Sequence, residues 1–201
     1  MSTVNWPADR AFAPRTMRFG ATTPKSGWQA FFTGQVQSIS HAAERLRCTL
    51  VLGPCNLVDA GRREAYFMAL ARSGDWVNLG HVRRPIPQGT LRGTPTVASS
   101  AVAGATTLSV QTTAGATLLA GDILGGGGQL LMTGYAGATA DGSGVLSMPL
   151  VLPLRAAISS AAALTWNAPT ATWQLEVESL DVDYTPGRWQ DAIEIPLREA
   201  Y

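Results

Sequence analysis

The side chains able to do chemistry are few and scattered. Histidine occurs twice, as His41 and His81, and cysteine twice, as Cys48 and Cys55. His41 is predicted at a strand end and His81 within a strand. A histidine working with a serine nucleophile would need that serine raised on a Gly-x-Ser-x-Gly elbow, and the chain has none. The Cys and His spacings match no zinc pattern. Cys48 falls in an alternating apolar run and Cys55 in a Gly-Pro-Cys-Asn turn. They read as two reduced thiols, which suits assembly in a cytosol.

The run Gly125-Gly126-Gly127-Gly128 invites a phosphate cradle. A P-loop follows its glycines with Lys and Ser or Thr, whereas here Gln129-Leu130 follows. Asp122 and Asp141 are the sole carboxylates between residues 104 and 173. Calcium takes about six to eight oxygens, so turn-forming roles are predicted for both. Glu176 and Glu178 share one strand face, as do Asp181 and Asp183. Paired carboxylates can hydrolyse glycosides, but acids alternating along a strand more usually form a solvent face or meet arginines. Accordingly, no catalytic, metal-binding or cofactor-binding residue is assigned, and no cofactor is expected.

Charge is more informative than these motifs. The 201 residues carry a net charge of +1, which argues against general nucleic-acid binding, and no sequence-specific nucleic acid is expected as a partner. That balance hides a segregation. Residues 1–90 are rich in arginine, including Arg45, Arg47, Arg62, Arg63, Arg83 and Arg84. Residues 173–201 carry Glu176, Glu178, Asp181, Asp183, Asp191, Glu194 and Glu199. Opposite charge so divided attracts, either within one chain or between copies in a ring. Arg45 and Arg47 facing Glu176, Glu178, Asp181 and Asp183 form the candidate subunit interface. No apolar run approaches the about 20 residues that span a bilayer, and residues 1–7 lack a basic-then-apolar signal; no membrane partner is expected.

The elements that would position these groups are mostly strands. Residues 45–52 alternate cleanly, with Leu46, Cys48, Leu50 and Leu52 on one face and Arg45, Arg47, Thr49 and Val51 on the other. Residues 28–39 read as a strand, after a loop over 20–27. Asp59 is the predicted N-cap of a helix over about 59–72 that turns Phe67 and Leu70 to the sheet, and Ser73-Gly74 stops it. Residues 76–79 form another strand, and 88–103 a small, polar crossover. Short strands are predicted around Leu108, Leu118, Ile123, 130–132, 145–148 and 164–166, with Asp141-Gly142-Ser143-Gly144 as a hairpin or loop signal. Trp173, Leu175 and Val177 alternate in one phase, and Leu180, Val182 and Tyr184 in the other. Ile193, Ile195 and Leu197 form a last strand whose Pro196 favours a sheet edge. Six tryptophans invite sugar stacking. Trp28, Trp76, Trp166 and Trp173 lie in apolar strand contexts and are expected in the core, Trp6 and Trp189 in irregular segments.

The fold class expected is mainly β: a β-sandwich with one helix, split in sequence by an inserted small β-barrel or sandwich. Residues 1–90 plus 173–201 would make the outer body and 91–172 the insert.

From about Trp28 onward this layout resembles the distal tail proteins of long-tailed, siphovirus-like bacteriophages, prophages and gene transfer agents. The likeness rests on Ala114-Gly115-Ala116, Leu119-Ala120-Gly121-Asp122, Ala140-Asp141-Gly142-Ser143-Gly144, and Pro153-Leu154-Arg155-Ala156-Ala157 ahead of Leu164-Thr165-Trp166. It implies a structural virion protein at the tail tip, assembled in the host cytoplasm as a hexameric ring. Its partners would be copies of itself, the tail tube protein and the tail hub or tip proteins. The flanks would form the ring, and the insert would project as a small β domain that binds carbohydrate in some relatives. The resemblance brings no catalytic residues. Two alternatives remain: a module that holds a host-surface glycan, and a cell-wall glycan hydrolase acting through paired acids.

Overall fold

The computed structural model describes residues 3–29, 31, 33–40, 44–74, 76–176, 184–185 and 189–200. Before the middle stretch come β1 (Thr3–Asn5), a 3-10 turn (Arg10–Phe12), β2 (Pro14–Thr22), β3 (Lys25–Gln29), β4 (Val36–Ser40), β5 (Arg45–Leu52), β6 (Cys55–Asn56), α1 (Leu57–Ser73) and β7 (Trp76–Gly80). The middle holds β8 (Thr96–Val97), β9 (Thr107–Gln111), β10 (Thr117–Leu118), β11 (Ile123–Gly126), β12 (Gln129–Met132), β13 (Ala138–Thr139) and β14 (Val145–Pro149). After it come β15 (Thr170–Leu175), β16 (Tyr184–Thr185), β17 (Trp189–Gln190) and β18 (Ile193–Glu199). The protein is therefore mainly β with a single α-helix among the described residues, as expected of a β-sandwich with one helix.

Strands from both sides of the middle share one six-stranded sheet, in the order β1-β7-β15-β18-β5-β2. Its pairings are antiparallel except β1 with β7. The period-2 pattern decides which face is dry. Leu46, Cys48, Leu50 and Leu52 of β5 are buried beside Ile193, Ile195 and Leu197 of β18 and Trp173 of β15. Two things cover this inner face. At the Leu52 end, the 3-10 turn and α1 bring Phe12, Tyr66 and Phe67 around Trp6, with ring centroids 5.2–6.2 Å apart. At the Leu46 end lies the β11–β12 hairpin.

That hairpin is a wall shared by two cores. Leu124 and Leu131 are cross-strand partners and therefore point the same way; they lie in the core of the middle stretch with Leu108, Val110, Leu146 and Met148. Ile123 and Leu130 point the other way, into the core of the six-stranded sheet. Asp122, at the entrance to β11, binds the crossover in place. Its carboxylate accepts from the Gln88, Gly89 and Leu119 amides at 2.8, 2.9 and 2.8 Å. Asp141 makes the turn between β13 and β14, accepting from the Ser143 and Val145 amides, both at 2.9 Å. Both aspartates thus take the turn roles their contexts predict.

The expected faces of residues 45–52, the helix with buried Phe67 and Leu70, the stop at Gly74 (φ 61°) and the strand after it are all present. Other expectations need correction. Residues 28–39 are two strands, not one: β3 and β4 pair across a turn in which Gly34 takes φ +67°. The strands start earlier than the predicted loop over 20–27 allows. Trp28 is consequently 67% exposed rather than in the core. The helix N-cap is Asn56, whose side chain accepts from the Asp59 amide at 2.9 Å, so Asp59 belongs to the first turn. His81 lies just past β7. The crossover contains β8 and the fully buried Leu91. Residues 164–166 supply one isolated bridge, Gly125 to Thr165, rather than a strand. Trp6, in its irregular segment, packs against the sheet core and donates Nε1–H to the Phe12 carbonyl at 3.0 Å.

Pro196 is not at a sheet edge, since β18 runs between β5 and β15. Its carbonyl accepts from the Glu176 amide at 3.0 Å. In an antiparallel ladder the N–H and C=O of one residue point to the same side. The missing N–H of Pro196 therefore faces β15 where that ladder ends, beyond Leu175↔Leu197. The predicted phase change at 177–183 and His41 lie outside the described residues.

Candidate assembly surface

The wet face of the six-stranded sheet carries the charged residues. Arg47 of β5 reaches over β18, and its Nε lies 2.7 Å from Oε2 of Glu176, just past β15. Arg18 of β2 lies 3.1 Å from Glu194 of β18. Of the sequence-predicted interface, then, the fold brings Arg47 and Glu176 together within one chain. Arg45 opens β5, half-buried and opposite Thr22. Glu178, Asp181 and Asp183 lie outside the described residues. Both pairs are substantially exposed, where solvent screening leaves about 0–1 kcal/mol each. Part of the charge segregation is thus used internally.

The sheet's edges are unequal. β1 is three residues long. β2 is nine residues long, and no strand among the described residues pairs with its outer side. Long unpaired edges are templates for another chain. Two hollows flank this one. The first, about 230 Å³, lies where the sheet meets the middle stretch, among Phe19, Gly20, Ala21, Leu130, Met132 and Val151. The second, about 280 Å³, opens on the charged face beside Arg18, Arg47 and Thr49. Phe19, Gly20 and Ala21 border both.

No protein-family model and no curated protein matches this chain.

Beyond the sheet, β2 and β5 run on as the β3–β4 ribbon: Thr22 pairs with Arg45, and Lys25 with Ser40. Trp28 and Gln37 are cross-strand partners, and Ile39 lies on that same face, two positions from Gln37. Trp28, Val36 and Ile39 are all exposed. An isolated two-stranded ribbon is at best marginally stable in water.

Charge reasoning missed the most deeply buried ion pair among the described residues. Arg155 and Glu199 are 4% and 1% exposed, and the Arg155 guanidinium donates to the Glu199 carboxylate. The same guanidinium donates to the Leu130 carbonyl at 2.9 Å. Glu199 also accepts from the Leu46 amide at 3.3 Å, and Gln129 accepts from the Arg155 amide at 2.9 Å. A signal was present: Glu199 falls in phase with Ile193, Ile195 and Leu197, which marks it as inward.

A second buried cation lies under the helix. Arg63 donates to the Ala11 and Gly53 carbonyls, each at 2.7 Å, and to Gln190 Oε1 at 3.2 Å. Gln190 also meets the Cys55 thiol at 3.1 Å. Burial raises the Cys55 pKa although Arg63 opposes the shift, and burial alone pushes the Cys48 thiol up to about 12. Both cysteines are free and buried, the setting of unreactive thiols. His81 packs edge-on against Phe19 at 5.0 Å, and its Nδ1 accepts from the Arg84 amide at 3.1 Å. Burial first, then the Arg84 charge, lower its pKa.

Proposed function

We propose that this chain is a structural virion protein of a phage tail tip. Copies form a ring, six by analogy with distal tail proteins, that joins the tail tube to the baseplate. Residues 1–90 and 173–201, joined by Thr170 to Thr172 at the start of β15, form the ring body, and the rest of 91–172 the inserted β domain. One observation carries the reading: strands from both flanks interleave in a single sheet, while the stretch between them has a core of its own. That arrangement suits the split body the resemblance implies. The unpaired side of β2 supports it further, because head-to-tail contacts that close make rings. Tail tube protein would meet one rim and hub or tip proteins the other.

The test is the native mass of the purified protein by light scattering, with negative-stain images. A ring of several copies is expected. A single chain at every concentration would reject the reading.

A second reading makes the middle stretch a holder of host-surface glycan. It draws on Tyr135, which stands 99% exposed between Gly134 and Ala136 and offers a ring face for stacking. Binding on a glycan array that disappears in Tyr135→Ser would favour it.

A further inference from the structure

We propose that the β3–β4 ribbon of one copy lies along the outer side of β2 in the next copy, with Trp28 seated in the hollow beside Phe19, Leu130 and Met132. The proposal rests on the ring reading and names the surfaces that would close the ring.

The donor is the ribbon. It leaves the end of the sheet with both faces in solvent, and one face carries Trp28 and Ile39. Lys25 is its sole charged residue between positions 25 and 40, so little desolvation opposes its burial. Exposed apolar surface on a structure that is marginal alone is the mark of a contact surface.

The acceptor is on the same chain. The outer side of β2 offers backbone N–H and C=O groups to a further strand. Gly20 has no heavy atom within 4 Å of where a Cβ would stand, and Ala21 is small, so another backbone can approach closely there. The adjoining hollow is about 230 Å³ and mostly apolar in its lining. A cavity of about 150 Å³ takes a benzene ring, so an indole, half as large again, has room. A stable interface uses about 20–30 residues a side. β3 and β4 supply five residues each and the acceptor the nine of β2 with the walls of the hollows, so this contact is one part of such an interface.

The occupant must come from another copy. Within the chain β3 pairs with β4 and β2 with β5, and no described strand of the same chain lies on the outer side of β2. Donor and acceptor on different parts of one chain make a heterologous contact, the kind that closes into a ring.

The test compares native masses of the full chain by light scattering over a dilution series. Trp28→Ser removes the anchor and Ala21→Glu charges the acceptor; Met68→Ser, exposed on the helix, is the control. Each of the first two is expected to weaken association at least thirtyfold, roughly the loss on truncating a central tryptophan, leaving a folded single chain by circular dichroism. Met68→Ser keeps the wild-type mass. Should Trp28→Ser not fold, Ala21→Glu decides. Wild-type mass in either folded variant overturns the ribbon contact and leaves the ring reading standing. A wild-type chain that never associates overturns both.

Discussion

Arg155 and Glu199 form an ion pair sealed between the middle stretch and the six-stranded sheet. Removing one member of such a pair leaves a buried charge alone and costs about 3–5 kcal/mol, whereas replacing both with apolar residues is often neutral. Arg155→Met alone should therefore lower unfolding free energy by that amount in urea titrations. Arg155→Met with Glu199→Leu should recover most of it. If the two changes simply add, the pair is not acting as a unit.

Asp122 gives a second handle on the same junction. Its carboxylate satisfies three backbone amides, those of Gln88, Gly89 and Leu119. Asp122→Ala should cost about 2 kcal/mol by leaving the buried Gly89 amide and the part-buried Gln88 and Leu119 amides without their acceptor. Hydrogen exchange should show those amides losing protection before the amides of β5.

His81 predicts an acid-side weakness. Its folded pKa is depressed, so the unfolded chain binds the extra proton first. Stability from this group is complete above the unfolded value of about 6.5 and is lost as pH falls through the folded value. His81→Gln should flatten that part of the curve. The difference between the two proteins cannot exceed about 1.4 kcal/mol per pH unit.

Cys48 predicts the opposite sign on the alkaline side. Its folded pKa of about 12 is raised above the ordinary thiol value. Its stabilising contribution is complete below about pH 8.5 and declines as pH rises toward 12. Denaturation of Cys48→Ala over that window should show a shallower decline than wild type. At pH 8, a disulfide reagent should modify Cys48 no faster than the protein unfolds.

Much of this was legible in the residues because it depends on local pattern. Alternation placed Leu46 to Leu52, and helical spacing placed Phe67 and Leu70. Turn chemistry placed Asp141 and Gly74. What escaped depends on long-range neighbours. Trp28 looks like core because aromatic residues favour strands, and only the fold reveals that its ribbon overshoots the sheet. Pro196 signals an edge, and it sits at one in a narrower sense, where the β15 ladder stops beside an interior strand. Segregated charge suggested surface attraction between Arg47 and Glu176, which pair at 2.7 Å. It gave no hint that Glu199, from the same acidic stretch, is buried against Arg155. The Asn56 cap was overlooked because Asp59, three positions on, has equal propensity.

The interleaving of the sheet bears on how the chain must be made. β18 slots between β5 and β15, so until it emerges from the ribosome the β2–β5 half and the β7–β15 half cannot join. Each would present a raw strand side and half of an uncovered apolar layer, the condition in which nascent proteins stick to one another. Residues 91–172 need not wait, since most of their core is drawn from within. Synthesis would then complete the inner piece first and clasp the outer one shut only once Ile193–Glu199 has been made, so a chain cut before Ile193 leads to aggregates rather than to a shorter working protein.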